Sequence, residues 1–421
     1  MLAQRDLNVL WHPCTQMKDH ESLPLIPIKN GKGVWLYDYE GKRYLDAISS
    51  WWVNLFGHAN PKINNAIKKQ LDQLEHVIFA GFSHQGAIEL AERLTKLTKL
   101  DRCFYADNGS SAVEVALKMS FQYWQNLGQN KKIKFAHLEN GYHGETLGAL
   151  AVGDLGLYKE IFAPLLPQTI AIPVPDCEES LARAEKLLAQ HQHEICALIV
   201  EPLVQCAGQM RIYSPHYLKL LRQACERYNI HFIADEIAVG FGRTGKMFAC
   251  EHADILPDFM CLSKGLTGGY LPLSCVLTKE SIYQNFYDTY ESGKGFLHSH
   301  SYTGNPLAIS AALATLDIFE NENILEKNKL LSQHLALCLE NLQEDSDVYN
   351  IRQLGLIAAF DMIDNQNRRG LKVYQYALAH EMLIRPIGHT VYFMPPYVIT
   401  PDEINQMITV AHQGVKKAMC I

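Results

Sequence analysis

The chain reads as an α/β protein: a large domain on a mainly parallel central sheet, with a smaller α+β domain beside it. Three observations carry that reading. The middle of the sequence alternates wholly apolar runs with amphipathic segments, which implies strand–helix–strand crossovers and therefore parallel strands. After about residue 307 the pattern turns helical, then gives a short apolar run and a last amphipathic stretch, as a separate α+β unit would. At 421 residues, 48% hydrophobic and 20% charged, the chain can build two or three domains around a sizeable core.

Along the chain, residues 1–60 form an N-terminal segment that joins the small domain. Within it Gly33–Asp38 is β-like and is followed by a turn at Glu40-Gly41. Residues 61–306 make the large domain. Asp107–Glu114 precedes a helix with Val113, Ala116, Leu117 and Ser120 on one face, where Ser111 and Glu114 match a capping box. Ile133–His137, Glu194–Val200, Ile230–Asp235 and Asp258–Ser263 read as strands. Ser214 and Pro215 supply the cap and first-turn proline of a helix with Tyr217, Leu221, Ala224, Cys225 and Tyr228 at helical spacing. Residues 307–421 make the small domain, with a strand over Leu354–Phe360 and a final helix near 402–418.

Charge and composition exclude several classes. The net charge is −7, from 38 basic and 45 acidic residues, and no basic run occurs, which argues against nucleic acid as a partner. No run approaches the roughly 18–20 apolar residues needed to cross a bilayer, and Met1–Asn8 is charged where a signal peptide would be apolar. Eleven cysteines are scattered singly, without the paired spacing of a disulfide framework or structural zinc site. A cytoplasmic enzyme with reduced thiols and no membrane partner is expected. His298 and His300 have no carboxylate or cysteine beside them to complete a ligand set, so no metal is expected.

The candidate chemistry lies at strand ends, where open parallel sheets bind ligands. Asp235 can hold a positive charge on a ligand nitrogen there, although a capping or turn aspartate would read the same. Lys264 follows the next apolar run; buried, its amine would be a nucleophile, whereas most lysines are simply solvated. Gly109, Ser110 and Ser111 at a helix start can receive a phosphate, or merely cap the helix. Tyr142, between Gly141 and Gly144, can stack on a flat heteroaromatic ring or sit in an ordinary glycine-rich turn. Together, a lysine for a carbonyl, a carboxylate for a pyridinium nitrogen, a phosphate cup and a stacking ring meet the needs of pyridoxal 5'-phosphate.

On these residues the chain resembles the class III aminotransferases of the fold type I pyridoxal-phosphate family, along essentially its whole length. The resemblance is carried by Asp235–Gly245, Leu262–Gly269 and Gly141–Gly144. Leu10–Gln16, Ser49–Trp52, Gln122–Trp124 and Met394–Tyr397 are similar to the biotin-pathway branch, which converts 8-amino-7-oxononanoate to 7,8-diaminononanoate. The resemblance implies that Lys264 bonds the cofactor aldehyde, Asp235 meets the ring nitrogen and Tyr142 covers the ring. Gly109 and Ser110 would hold the phosphate, joined by Ser301 from the neighbouring subunit of a homodimer whose active sites are shared. Arg385 would meet a substrate carboxylate, Trp51, Trp52 and Tyr392 would line the tunnel, and Arg243 would stand near its mouth.

The chain departs from the family's usual pattern at several places, and two of its features bear on the amino donor. Cys14 stands where the family usually has tyrosine, and Glu145 where an aspartate is common. His298–Thr303 is closer to relatives that use lysine, whereas Trp51 favours the branch that uses S-adenosylmethionine. S-adenosylmethionine is the expected donor. Lysine as donor, or another class III reaction on ω-amino acids or diamines, is the alternative.

Overall fold

Seven strands form the central sheet of the computed structural model, which describes residues 2–363 and 368–420. Their order is Arg102–Ala106, Ser274–Thr278, Phe259–Leu262, His231–Asp235, Ile195–Val200, Lys134–Leu138 and Thr169–Ile172. Ser274–Thr278 runs antiparallel to both neighbours and the other pairings are parallel, so the sheet is mainly parallel as expected. Ile195–Val200 and His231–Asp235 are buried at every residue, which explains why they read as unbroken apolar runs. The helix between them, Pro215–Arg227, begins as its sequence predicts: Ser214 accepts the His216 N–H and Pro215 occupies the first turn.

Two expectations are corrected. The helix Gly109–Asn126 is capped by Asn108, whose side chain accepts the Ser111 N–H, and not by Ser111. Because the helix starts earlier, Glu114 lies beyond the first turn and cannot close a capping box. Its Oε1 instead receives Thr146 Oγ1 and the N–H groups of Gly148 and Ala149, tying in the helix Leu147–Ala151. The apolar run 354–360 is likewise not one strand. Val348–Leu354 and Ile357–Met362 pair antiparallel across a turn at Gly355, whose φ of +61° suits glycine.

Thr390–Phe393 completes that three-stranded sheet. The final helix, Pro401–Met419, carries a full capping box between Thr400 and Glu403. Near the N-terminus Trp35–Asp38 pairs with Ile28–Lys32 and Arg43–Asp46, and the last of these pairs in parallel with Met382–Leu383. We propose the domain division at residues 60 and 306 on that pairing of the two chain ends. Among the described residues no helix is long and apolar enough to cross a membrane.

Candidate active site

Asp235 is the last residue of its strand and is 5% exposed. Its Oδ1 accepts the Ile237 N–H at 3.1 Å, and its Oδ2 lies 2.7 Å from His143 Nδ1. Both the turn-aspartate reading and a ligand-facing role are therefore compatible with one residue. Lys264 follows the neighbouring strand Phe259–Leu262 with φ +41°, an uncommon conformation for a side chain with a Cβ. The close-packed loop that follows depends on glycine: a Cβ on Gly269, itself at φ +87°, would stand 2.8 Å from the Val53 backbone.

Lys264 Nζ stands over the Trp52 ring, 4.5 Å from its centroid. Burial lowers its pKa, and among the described residues no carboxylate pairs with it within 4.0 Å. An amine so placed is favoured in its neutral, nucleophilic form.

Opposite, Asn108 uses its side chain on the Ser111 N–H, which leaves the N–H groups of Gly109 and Ser110 without an intrahelical acceptor. Gly144 folds onto this start so closely that a Cβ there would collide with Ser110 Oγ. Tyr142 stands between, donating its N–H to Glu201 Oε1 at 2.9 Å and its hydroxyl to Glu145 Oε1 at 3.0 Å. Burial raises its pKa and keeps the phenol protonated.

The structure thus brings Lys264, Asp235, Tyr142, Gly109, Ser110 and Trp52 around one cavity of about 220 Å³. It adds residues the sequence reading passed over. His143, within the Gly141–Gly144 segment, carries no local signal of its own. Glu201 directly follows the buried strand Ile195–Val200, so the strand-end rule that singled out Asp235 could have found it. Its second oxygen accepts the Cys206 N–H at 2.9 Å, and burial pushes its carboxyl up to about 7, with Asp235 adding to the rise and His143 opposing it.

Other expected residues lie outside the cavity. Tyr392 is buried behind Trp52 and accepts its Nε1–H at 3.1 Å. Trp51, 39% exposed, lies under the Arg385 guanidinium at 5.0 Å, and Arg385 donates to the Cys14 carbonyl at 2.8 Å. The Cys14 thiol reaches the Tyr158 hydroxyl at 3.5 Å, a neighbour the sequence did not suggest. Ser301 is exposed, and its carbonyl accepts from His76 Nε2 at 2.8 Å.

Arg243 is 1% exposed, with its guanidinium donating to the carbonyls of Pro395, Met394, Trp52 and Asn54. A planar fork of donors suits that task, because it can satisfy carbonyls from two chain segments at once.

The cavity meets the demands of pyridoxal phosphate: an unpaired buried amine, a buried carboxylate, a helix start with free N–H groups, and a tyrosine beside them. An α/β sheet with this set at its strand ends defines a transferase built for amino-group chemistry. The comparisons agree. The family model described as aminotransferase class-III matches residues 16–415. The chain is 53% identical over 418 residues to the adenosylmethionine-8-amino-7-oxononanoate aminotransferase of Helicobacter pylori, covering 97% of this chain and 96% of that protein. It is 41% identical over 435 residues to the protein of the same name from Anoxybacillus flavithermus, covering 98% and 96%. The crystal structure of the adenosylmethionine-8-amino-7-oxononanoate aminotransferase from Methanocaldococcus jannaschii superposes with a TM-score of 0.96 at 37% identity, covering 99% of this chain and 98% of that one. An omega transaminase from Pseudomonas jessenii in complex with PMP gives 0.95 at 28% identity, covering 100% and 98%. The chain belongs to the class III aminotransferases, a pyridoxal-phosphate-dependent family.

Proposed function

We propose that this aminotransferase converts 8-amino-7-oxononanoate to 7,8-diaminononanoate in biotin biosynthesis, with S-adenosylmethionine as amino donor and pyridoxal 5'-phosphate as resident cofactor. The observation that carries the amino-transfer chemistry is the convergence of Lys264, Asp235 and the Gly109–Ser110 helix start on one cavity. The substrate assignment is supported by the full-length similarity to proteins of that name.

When bound, pyridoxal phosphate supplies an electron sink for the pair left behind as the donor's α-proton departs. Lys264 Nζ would hold the cofactor carbonyl and, once displaced by the donor amine, take the α-proton and return it on the other side of the transfer. Its lowered pKa favours the neutral amine that this task needs. Asp235, held by Ile237 N–H and His143, would keep a proton on the cofactor ring nitrogen. Gly109 and Ser110 would hold the phosphate, with Ser301 from the second copy of a homodimer, while Tyr142 covers the ring. Arg385 would meet the carboxylate of either donor or acceptor in turn, and Trp51 and Trp52 would flank the acceptor's aliphatic chain.

The test is product formation by purified, cofactor-loaded protein given 8-amino-7-oxononanoate and either S-adenosylmethionine or lysine. Diamine with S-adenosylmethionine is the expected result. Diamine with lysine alone would reassign the donor, the reading that the His298–Thr303 pattern favours. No diamine with either would overturn the substrate assignment.

A further inference from the structure

The two tryptophans of the site stand on a left-handed backbone turn. Ser49, Ser50, Trp51 and Trp52 have φ of +51°, +50°, +86° and +72°, and the two middle residues have ψ of +38° and +48°. None of the four is glycine, asparagine or aspartate, the types that visit this region with least penalty. Hydrogen bonds run along the turn as in a helix, from the Trp52 N–H to the Ile48 carbonyl at 2.8 Å and from the Val53 N–H to the Ser49 carbonyl at 3.0 Å. Residues with a Cβ hold such a conformation only where their surroundings over-determine it, and strain of this kind collects at functional sites.

Asp46 leads those surroundings. Its side chain is fully buried at the end of the strand Arg43–Asp46. Oδ1 accepts the Ser50 N–H at 2.9 Å and Oδ2 the Ser50 hydroxyl at 2.7 Å, so one carboxylate grips the turn by two groups of a single residue. Oδ2 also meets His58 Nε2 at 3.0 Å, while His58 Nδ1 faces the Asn54 Nδ2 amide at 3.3 Å. An amide nitrogen donates, so His58 Nδ1 accepts and the ring proton sits on Nε2, toward Asp46. Ser49 Oγ donates to the Met394 carbonyl at 2.7 Å, and Arg243 serves the carbonyls at the exit of the turn.

The hand of the turn decides where the indoles go, because reversing it reverses the tilt of each Cα–Cβ bond. In the left-handed form Trp52 faces inward, its ring centroid 4.5 Å from Lys264 Nζ and its Nε1–H on the Tyr392 hydroxyl. Trp51 lies beneath the Arg385 guanidinium at 5.0 Å. We propose that Asp46, oriented by His58, is a positioning residue that locks residues 49–52 left-handed and so sets Trp52 against Lys264 and Trp51 beneath Arg385. The consequence for catalysis rests on the reading of Lys264 as the reacting amine. Asp46 does not line the cavity and acts through the backbone.

The test removes the lock and then the need for it. Asp46→Ala deletes both acceptors. Adding Ser50→Gly gives the turn a residue that takes positive φ without steric penalty. In the holoenzyme, hydrogen exchange of the N–H groups of residues 50–54, corrected for intrinsic rate, reports the turn. Values of kcat and KM for 8-amino-7-oxononanoate, per folded molecule, report the site. Asp46→Ala should open those N–H groups to exchange and lower kcat by roughly tenfold or more. Asp46→Ala/Ser50→Gly should regain part of the protection and at least about threefold in kcat, although it adds no new bond. A residue that merely stabilises the fold would lower the melting temperature and leave kcat and KM per folded molecule unchanged. That result, or no recovery with glycine, would overturn the proposal. Where Asp46→Ala does not fold, Ser50→Val and Ser50→Gly ask the same question, since both lose the hydroxyl and only valine is barred from positive φ. A valine variant as active and as protected as the glycine variant would overturn the lock. Exchange at the turn is read without substrate and stands whichever amine is transferred. Failure of the amino-transfer reading would show instead as absent turnover in the wild type.

Discussion

His143 Nδ1 and Asp235 Oδ2 stand 2.7 Å apart at the carboxyl end of the middle strand of the central sheet, with side-chain exposures of 1% and 6%. The aspartate's other oxygen is taken by the Ile237 N–H, so the carboxylate is held by two separate segments of the chain. Asp235 would act on the ring nitrogen, and His143 would act through Asp235 by fixing its orientation. Asp235→Ala should lower kcat by about 10²-fold or more even when cofactor is retained. His143→Leu should lower it by only about tenfold, the scale of one charge-assisted hydrogen bond. Steady-state rates alongside cofactor content per subunit check the pair; a near-normal rate for Asp235→Ala would refute its role.

Lys264 offers a cleaner test, since its amine is the one nucleophile the proposed chemistry cannot replace. Lys264→Ala should abolish turnover and the absorbance of the cofactor–lysine bond. The fold should survive, because removing a buried amine relieves a desolvation cost and the residue's φ of +41° is set by the loop around it. Turnover and thermal denaturation measured on the same preparation separate the two effects. Residual turnover comparable to wild type would rule the lysine out.

Arg243 should behave as a structural residue. Its guanidinium serves carbonyls of residues 52, 54, 394 and 395, and removing it leaves them buried without a donor. Arg243→Leu is expected to cost at least about 2 kcal/mol in urea denaturation, with little change in KM for the oxo acid per folded molecule. A raised KM with unchanged stability would return the residue to the substrate path.

The contrast between Arg243 and Lys264 shows what a sequence can reveal. Lys264 and Asp235 each end an apolar run, so local pattern alone places them at the ligand-binding edge of a parallel sheet. Glu201 obeys the same rule, since it directly follows the buried strand Ile195–Val200. Arg243 has no such local signal. Its partners are backbone carbonyls far away in the chain, which any residue type supplies. The Gly355 turn and the Asn108 cap were misread for a related reason: an apolar run hides a tight turn within it, and neighbouring polar residues compete for one cap. His143 lay in a noted motif, but its meaning depends on Asp235, 92 positions later.

Glu201 makes the pH dependence of stability predictable. Burial lifts its carboxyl from an ordinary 4.5 to about 7, and burial lifts Glu236 to about 7 as well. A carboxyl with a raised folded-state pKa holds its proton more tightly when folded, so its contribution is full at low pH and is lost as pH rises through about 7. Each group can contribute a pH-dependent change of about 3 kcal/mol at most between pH 4.5 and 7. Glu201→Gln removes one of them. The variant also loses an acceptor, because Glu201 serves both Tyr142 N–H and Cys206 N–H, so its absolute stability should be lower. The slope is the informative quantity. Urea denaturation at intervals from pH 5 to pH 8 should show wild-type stability falling more steeply than that of Glu201→Gln, the gap between them narrowing as pH rises. Parallel curves would mean that Glu201 is ionised throughout the range, held so by the two N–H groups and His143 against the pull of burial.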